Sequence, residues 1–251
     1  MPRLDQLLVT RGLARTRTRA QRLIRHGRVR LESCGKVLAK PGEKLADDTA
    51  LIVEDDPEDR YVSRAGLKLE SVLTRLALDL AGCVVLDVGQ STGGFSDCAL
   101  RHGAAHVIGV EVGHDQLDPG LRDDPRVTCL EGLNARAMSS EARLADALAA
   151  RPVDVAVMDV SFISQTLILP EIAALLPVGG TLISLVKPQF EVGPQGVNTR
   201  GLVTEPSRYA EVERRIREAC DTAGLVIDHW QESPITGGDG NREFLLHAHR
   251  G

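Results

Sequence analysis

Four ionisable side chains lie at the ends of apolar runs or in a helical pattern, and together they suggest a site that removes a proton from an alcohol. Lys187 ends the run TLISLVK, Asp159 lies at the end of VDVAVMDV, and Glu243 opens EFLLHAH. Lys68 lies near the start of a helical pattern over 67–80. A lone lysine at a strand end usually reaches into water. With a second lysine and two carboxylates facing it, burial and the neighbouring cation favour its neutral, proton-accepting form.

A glycine-rich turn after the first apolar run indicates the cofactor. The segment LDVGQSTGGFSD (86–97) precedes a helical pattern and matches neither GxGxxG nor GK[ST]. Asp87 suits a ligand with positive charge, and Glu111, which ends the next apolar run, suits the two hydroxyls of a ribose. S-adenosylmethionine, a cationic nucleoside, fits both features, whereas a tight turn with ordinary strand-end acids is the alternative interpretation. The predicted cofactor-binding residues are Asp87, Gly89, Ser91, Thr92, Gly93, Gly94, Phe95, Glu111, Glu131, Asn134 and Asp159.

Seven apolar runs separated by helical stretches must position these residues. The runs cover residues 83–89, 106–113, 127–132, 153–160, 181–187, 225–231 and 243–249. Continuous apolar strands between helices indicate a Rossmann-like α/β fold with a doubly wound, mostly parallel, seven-stranded sheet. Ligands bind such sheets beyond the carboxyl ends of the strands, where the ionisable residues are expected.

The N-terminal segment is a basic head on an acidic body. Residues 1–44 hold 12 lysines and arginines against 3 acidic residues, a balance of +9, whereas the rest of the chain has a balance of −14. This asymmetry is typical of an attached module that binds a polyanion. Two short helical patterns and small β-structure make the head an α+β unit. We expect an RNA-binding domain over 1–58, a linker over 59–65 and a catalytic domain over 66–251.

Arginines follow one face of the second helical pattern. Arg15, Arg19 and Arg22 recur at spacings of four and three, while Leu23 and Ile24 face the other side. Such a stripe suits phosphates and gives salt-sensitive binding, although a solvated basic face is the alternative. With 3% aromatic residues, stacking on bases is not expected to be the main mode of binding. The predicted RNA contacts are Arg15, Arg17, Arg19, Arg22, Arg25, Arg28, Arg30, Arg64 and Arg200.

Composition argues against several other classes of protein. No apolar run approaches the ~20 residues of a membrane helix, and the N-terminus has no pattern of a cleaved signal. The five cysteines are scattered without a CxxC pair, which indicates free thiols in a reducing cytoplasm. No cluster with metal-ligand spacing is present, so no metal is expected.

The motifs RLDQLLVTRGLARTRTRAQRLIRHGRV, RYVSRAGLKLE, LDVGQSTGGFSDCAL, MDVSFIS, LVKPQFE and GNREFLLH, in this order, resemble those of the TlyA family over essentially the whole chain. Members of that family, some of which carry the name hemolysin, use S-adenosylmethionine to methylate the ribose 2′-hydroxyl of cytidines in ribosomal RNA. The resemblance implies an alpha-L RNA-binding head and an FtsJ-like methyltransferase body. It also implies a catalytic tetrad of Lys68, Asp159, Lys187 and Glu243, with Lys187 as the general base.

Departures from the family pattern leave the tetrad and the glycine turn intact. Gln90 stands where alanine is usual, Ala65 where glycine is usual, Glu111 where aspartate is common, and Thr16 where serine is usual. The short N-terminus resembles that of members acting on the large ribosomal subunit, although the small subunit stays open. A membrane-active cytolysin and a non-catalytic ribosome-binding factor are the alternative functions. The oligomeric state is open, and the glycine-rich loop over 191–206 is expected to be a lid.

Overall fold

The computed structural model describes residues 1–14, 16–56 and 59–251, and it divides into two compact units, Met1–Arg60 and Tyr61–Gly251. No helix among these residues is long and apolar enough to cross a membrane. Tyr61, which the sequence places in a linker, is buried in the core of the second unit. The exact domain boundaries stay a prediction.

The first unit packs two helices against a short antiparallel pair of strands. Its elements are α1 (Leu4–Thr10), α2 (Arg17–Arg25), β1 (Val29–Leu31) and β2 (Leu51–Val53). Thr16 caps α2 by accepting a hydrogen bond from the backbone N–H of Arg19, so it performs the task of the usual serine. Ala20, Leu23 and Ile24 are buried, which confirms the predicted apolar face of α2.

The second unit is built on a seven-stranded sheet in the order β5-β4-β3-β6-β7-β9-β8. The first five strands in that order pair in parallel, and β9 pairs antiparallel with both neighbours. This mostly parallel sheet confirms the predicted fold class. The strands are β3 (Val84–Val88), β4 (His106–Glu111), β5 (Val127–Glu131), β6 (Val155–Met158), β7 (Thr181–Val186), β8 (Leu225–Glu232) and β9 (Phe244–Arg250).

Helices cover both faces of this sheet. Alternate residues of a strand point to opposite faces, so in β3 Val85 joins one apolar core and Leu86 joins the other. The first core contains side chains of α3 and α4, and the second contains side chains of α6, α7 and α9. The helices of this unit are α3 (Ala65–Leu76), α4 (Gly94–Arg101), α5 (Pro119–Arg122), α6 (Ala142–Ala150), α7 (Leu169–Leu175), α8 (Pro188–Glu191) and α9 (Pro206–Thr222).

The antiparallel direction of β9 is what brings its first residues to the ligand-binding edge. Val186 at the end of β7 pairs with Phe244 at the start of β9. The residues just outside this pair, Lys187 and Glu243, therefore lie at the same edge of the sheet. A parallel β9 would have carried Glu243 to the opposite edge.

Candidate active site

Lys187 lies at the carboxyl end of β7 and holds an ion pair with Asp159. Its Nζ is 2.7 Å from Oδ1 of Asp159 and donates a hydrogen bond of 2.8 Å to the hydroxyl of Ser161. Pro188, which has no backbone N–H, starts the one-turn helix α8 directly afterwards. The strand thus ends where its lysine reaches the loop after β6.

Lys68 and Glu243 form the second ion pair at this edge, with Nζ 2.5 Å from Oε2. Both side chains are buried, Lys68 in α3 and Glu243 immediately before β9. Burial raises the pKa of the Glu243 carboxyl, while the charges of Lys68 and, more weakly, Lys187 act in the opposite direction. The charges of both lysines therefore act on the Glu243 carboxylate. The structure thus brings together the four residues proposed as the tetrad.

A cavity of about 470 Å³ opens beside the tetrad at the carboxyl ends of β3 and β4. Glu111 lies in its wall, and its two carboxylate oxygens accept hydrogen bonds of 2.8 Å from the backbone N–H groups of Ser91 and Gly113. A smaller hollow of about 70 Å³ adjoins the glycine turn. Asp159 lines both spaces and contacts Lys187, so one carboxylate connects the cavity with the tetrad.

Most of the predicted cofactor-binding residues line one of these two spaces. The larger cavity is lined by Gly89, Ser91, Glu111, Asn134 and Asp159 from that set. The smaller hollow is lined by Gly89, Ser91, Thr92, Gly94, Phe95 and Asp159.

Asp87, Gly93 and Glu131 lie outside both walls. Asp87 is fully buried beneath the turn and accepts a 2.6 Å hydrogen bond from the hydroxyl of Ser96; burial raises its pKa to about 7. Glu131 is engaged by Arg122 at 2.7 Å. A Cβ at Gly93, where φ is +90°, would lie 2.4 Å from Leu121. Asp87 and Gly93 therefore shape the turn. A role of Asp87, Gly93 and Glu131 in cofactor binding stays a prediction.

Gly89 and Gln90 set how closely the turn approaches its neighbours. Gly89 has φ of +83°, and a Cβ there would lie 2.7 Å from the backbone oxygen of Asp159. Gln90, the unusual residue of the turn, is buried above Gly109 of β4 and donates a hydrogen bond to Ser96. A Cβ at Gly109 would lie 2.0 Å from the Gln90 amide. The glutamine therefore fits because its neighbour on β4 has no side chain.

Sequence reasoning did not single out Ser161 and Phe162, although both belong to the quoted motif MDVSFIS. Phe162 is 91% exposed, has φ of +64°, and its ring centroid lies 5.1 Å from that of Phe190. A bulky residue in this left-handed conformation is uncommon and frequently marks a functional loop. The signal available in the sequence was only the position of these residues directly after Asp159.

Most of the described arginines of the first unit are engaged by carboxylates of the same unit, a pairing that no sequence pattern predicted. Buried Asp5 accepts hydrogen bonds from Arg3, Gln21 and Arg17, and these hold the pKa of its carboxyl well below the ordinary value. An acidic segment at the end of the unit engages most of the others. The contacts are Arg19 with Asp59, Arg22 with Asp56 and Asp59, and Arg28 and Arg30 with Glu54.

The remaining predicted RNA contacts are placed differently. Arg25 is exposed and approaches Gln21 at 3.4 Å, and Arg15 lies outside the described residues. In the second unit Arg64 immediately precedes α3 and Arg200 is exposed on the loop over 191–206. That loop is tied down near its end, because the Asn241 side chain bonds the backbone of residues 201 and 203. Its role as a lid stays a prediction.

The fold and the site are those of an S-adenosylmethionine-dependent methyltransferase that carries a domain of an RNA-binding family at its N-terminus. Residues 61–250 match the FtsJ-like methyltransferase family, and residues 2–46 match the S4 domain. The chain belongs to the TlyA family of FtsJ-like methyltransferases.

Three relatives support this assignment over nearly the whole chain. The 16S/23S rRNA (cytidine-2′-O)-methyltransferase TlyA of Mycobacterium tuberculosis is 41% identical over 97% of this chain and 88% of its own. Hemolysin A of Brachyspira hyodysenteriae is 35% identical over 98% of both chains. A solved structure from Streptococcus thermophilus, named as a hemolysin, is 40% identical with a TM-score of 0.75 and covers 99% of this chain and 88% of its own.

Proposed function

We propose that this protein transfers the methyl group of S-adenosylmethionine to the ribose 2′-hydroxyl of a cytidine in ribosomal RNA, with the large subunit as the favoured substrate. One observation carries the proposal: Asp159 forms part of the cavity wall and also lies 2.7 Å from Nζ of Lys187. A proton acceptor thus lies next to the place where the cofactor is expected. The names of relatives supply the class of RNA and the nucleoside.

The residues of the cavity fit this cofactor. Glu111 is a carboxylate at the end of β4 with lone pairs beyond the two that backbone N–H groups engage, so it suits the ribose hydroxyls. Asn134 lies in the same wall, and Asp159 adds a second carboxylate to it. When bound, S-adenosylmethionine supplies an electrophilic methyl group.

The tetrad would handle the proton of the attacking hydroxyl. Lys187 in its neutral form accepts that proton, and Asp159 compensates the positive charge that the resulting ammonium carries. Ser161 accepts from the same nitrogen and restricts its direction. Lys68 and Glu243 form a fixed, buried ion pair beside Lys187. Such preorganised charges stabilise the charge that develops during the reaction without reorganisation of water.

The basic head would bind RNA through phosphates. Its arginines are presented by α2 and β1, and they would exchange the carboxylates of Glu54, Asp56 and Asp59 for phosphate oxygens. Binding of this kind falls steeply with salt. We further propose that the protein acts in the cytoplasm, in contact with ribosomal subunits.

Label transfer from methyl-labelled S-adenosylmethionine to isolated ribosomal subunits tests the proposal. We expect label in RNA with the wild-type protein and a loss of at least about 100-fold with Lys187→Met, since a general base contributes about 10²–10⁴-fold. Arg75→Met, an exposed change in α3, removes the same charge outside the basic head and is the control. Undiminished transfer by Lys187→Met would rule out this lysine as the base, and the absence of any transfer would favour a non-catalytic ribosome-binding factor.

A further inference from the structure

Glu191 is a buried acid that has no place in the tetrad. It is the last residue of α8, four residues after Lys187, and it is 3% exposed. Its carboxylate accepts hydrogen bonds from the hydroxyl of Ser164 at 2.6 Å and from the backbone N–H of Gln165 at 2.8 Å. A carboxylate is costly to bury unless its oxygens are bonded, so these two contacts fix its position.

The two donors belong to the segment that follows β6 and carries Asp159. This segment meets the turn after β7 at three points: Asp159 and Ser161 at Lys187, the ring of Phe162 at Phe190, and the donors at Glu191. Ser161 and Phe162 are exposed, so the contact at Glu191 is the buried one of the three.

The backbone between these points needs anchors on both sides. Phe162 has φ of +64°, a conformation that persists only where the surroundings impose it, and its exposed side chain offers little packing to do so. On the N-terminal side the backbone N–H of Asp159 donates to Val88 at 3.0 Å. On the C-terminal side the anchor is Glu191, reinforced by Ser184 of β7, whose hydroxyl donates to the Gln165 side chain at 2.7 Å.

We propose that Glu191 is a positioning residue whose carboxylate locks the loop carrying Asp159 and Ser161 against the turn that begins at Lys187. The direction of the lysine Nζ depends on Asp159 and Ser161, which share that loop. Without the lock, only the exposed contacts of Lys187 and Phe190 hold the loop against the turn, and the position of the lysine is less restricted. This inference rests on the proposed function of Lys187 as the base.

Glu191→Gln tests the proposal, because it keeps the shape of the side chain but removes its charge. The new amide N–H groups either face the backbone N–H of Gln165 or require the hydroxyl of Ser164 to turn from donor to acceptor. Glu171→Gln is a matched control. Glu171 of α7 also accepts from a serine hydroxyl and a backbone N–H, both of Ser139, at 2.7 Å and 2.9 Å, and it lies outside the cavity wall.

We expect Glu191→Gln to lower kcat by about 10- to 100-fold, because small displacements of a catalytic group have effects of that size. KM for RNA should change far less, since the RNA surface is untouched, and the dependence of kcat on pH should shift because the surroundings of Lys187 change. Ser164→Ala should show the same defect more weakly, and combining it with Glu191→Gln should add little. If Glu191 has only a structural role, Glu191→Gln should lower the melting temperature, as Glu171→Gln does, and leave kcat per folded molecule unchanged.

Equal kcat for Glu191→Gln and Glu171→Gln, with an unchanged pH profile, would overturn the inference. If Glu191→Gln fails to fold, the test uses Ser164→Ala, which removes one of the two hydrogen bonds. A wild-type kcat and a wild-type pH profile in Ser164→Ala would then overturn the inference. A fully active Lys187→Met protein would overturn the proposed base and this inference with it. An inactive Lys187→Met together with a fully active Glu191→Gln would overturn this inference alone.

Discussion

Lys68→Met should separate the contribution of the buried ion pair to stability from its contribution to catalysis. Methionine keeps most of the lysine's length but leaves the Glu243 carboxylate buried without the ammonium 2.5 Å away. Removing one partner of a buried pair costs about 3–5 kcal/mol. Lys187 still acts on Glu243 at longer range, so we expect the lower end, about 3 kcal/mol. For a unit of this size that corresponds to a melting temperature lower by roughly 6–12 °C.

The loss should depend on pH in a defined direction. Burial already raises the pKa of the Glu243 carboxyl, and loss of the lysine raises it further. A raised folded-state pKa means that stability is greatest where the carboxyl is protonated and is lost as pH rises through that pKa. The difference between wild type and Lys68→Met should therefore be small near pH 4 and grow toward neutral pH.

The double variant Lys68→Met/Glu243→Met is the decisive comparison. Replacing both partners of a buried pair with apolar side chains is often neutral or stabilising. We therefore expect the double variant to recover most of the stability while both variants lack methyl transfer. Thermal and urea unfolding at two pH values, with label transfer on the same preparations, measures both quantities. A double variant as unstable as the single one, or one with full methyl transfer, would refute this account of the pair.

Three further predictions concern the glycine turn and the basic head. In the wild type, ionisation of buried Asp87 should destabilise the fold by up to about 4 kcal/mol as pH rises from about 4 to 7, and Asp87→Asn should remove this loss. The melting temperatures of the two proteins should therefore differ by an amount that depends on pH, and a constant difference would contradict this. Gly109→Ala should cost about 1–3 kcal/mol by overpacking, and Gln90→Ala in the same chain should lessen that cost; additive losses would contradict the contact. Glu54→Gln should bind RNA about two- to fivefold more tightly at low salt, as expected for release of an exposed ion pair, whereas Asp47→Asn, with the same charge change, should not.

The main architecture was predictable because each buried strand appears in the sequence as a run of apolar residues. The ends of these runs also disclosed Asp159 and Lys187, since strand ends in a parallel sheet meet at one edge. The direction of β9 was not predictable from periodicity, which is the same for either direction of a strand. That direction is nevertheless what brings Glu243 next to Lys187.

The partners of individual side chains could not be predicted from the sequence. Asp87 was predicted to bind the cofactor, and no pattern indicated that the turn folds over it or that its carboxylate accepts a hydrogen bond from Ser96. The arginines of the head were predicted to contact RNA, but no spacing rule indicated that Asp59 engages Arg19 or that Glu54 engages Arg30. Glu191 carried no signal, because its partners lie on another loop and no spacing rule connects them.

The most direct test of the proposed ribose methylation is the chemical identity of the methylated nucleoside. Large and small ribosomal subunits are treated with the protein and S-adenosylmethionine, and their RNA is digested to nucleosides and separated by mass spectrometry. We expect 2′-O-methylcytidine, mainly in the large-subunit RNA, and none with Lys187→Met. A base-methylated nucleoside, or 2′-O-methylcytidine formed equally by Lys187→Met, would contradict it.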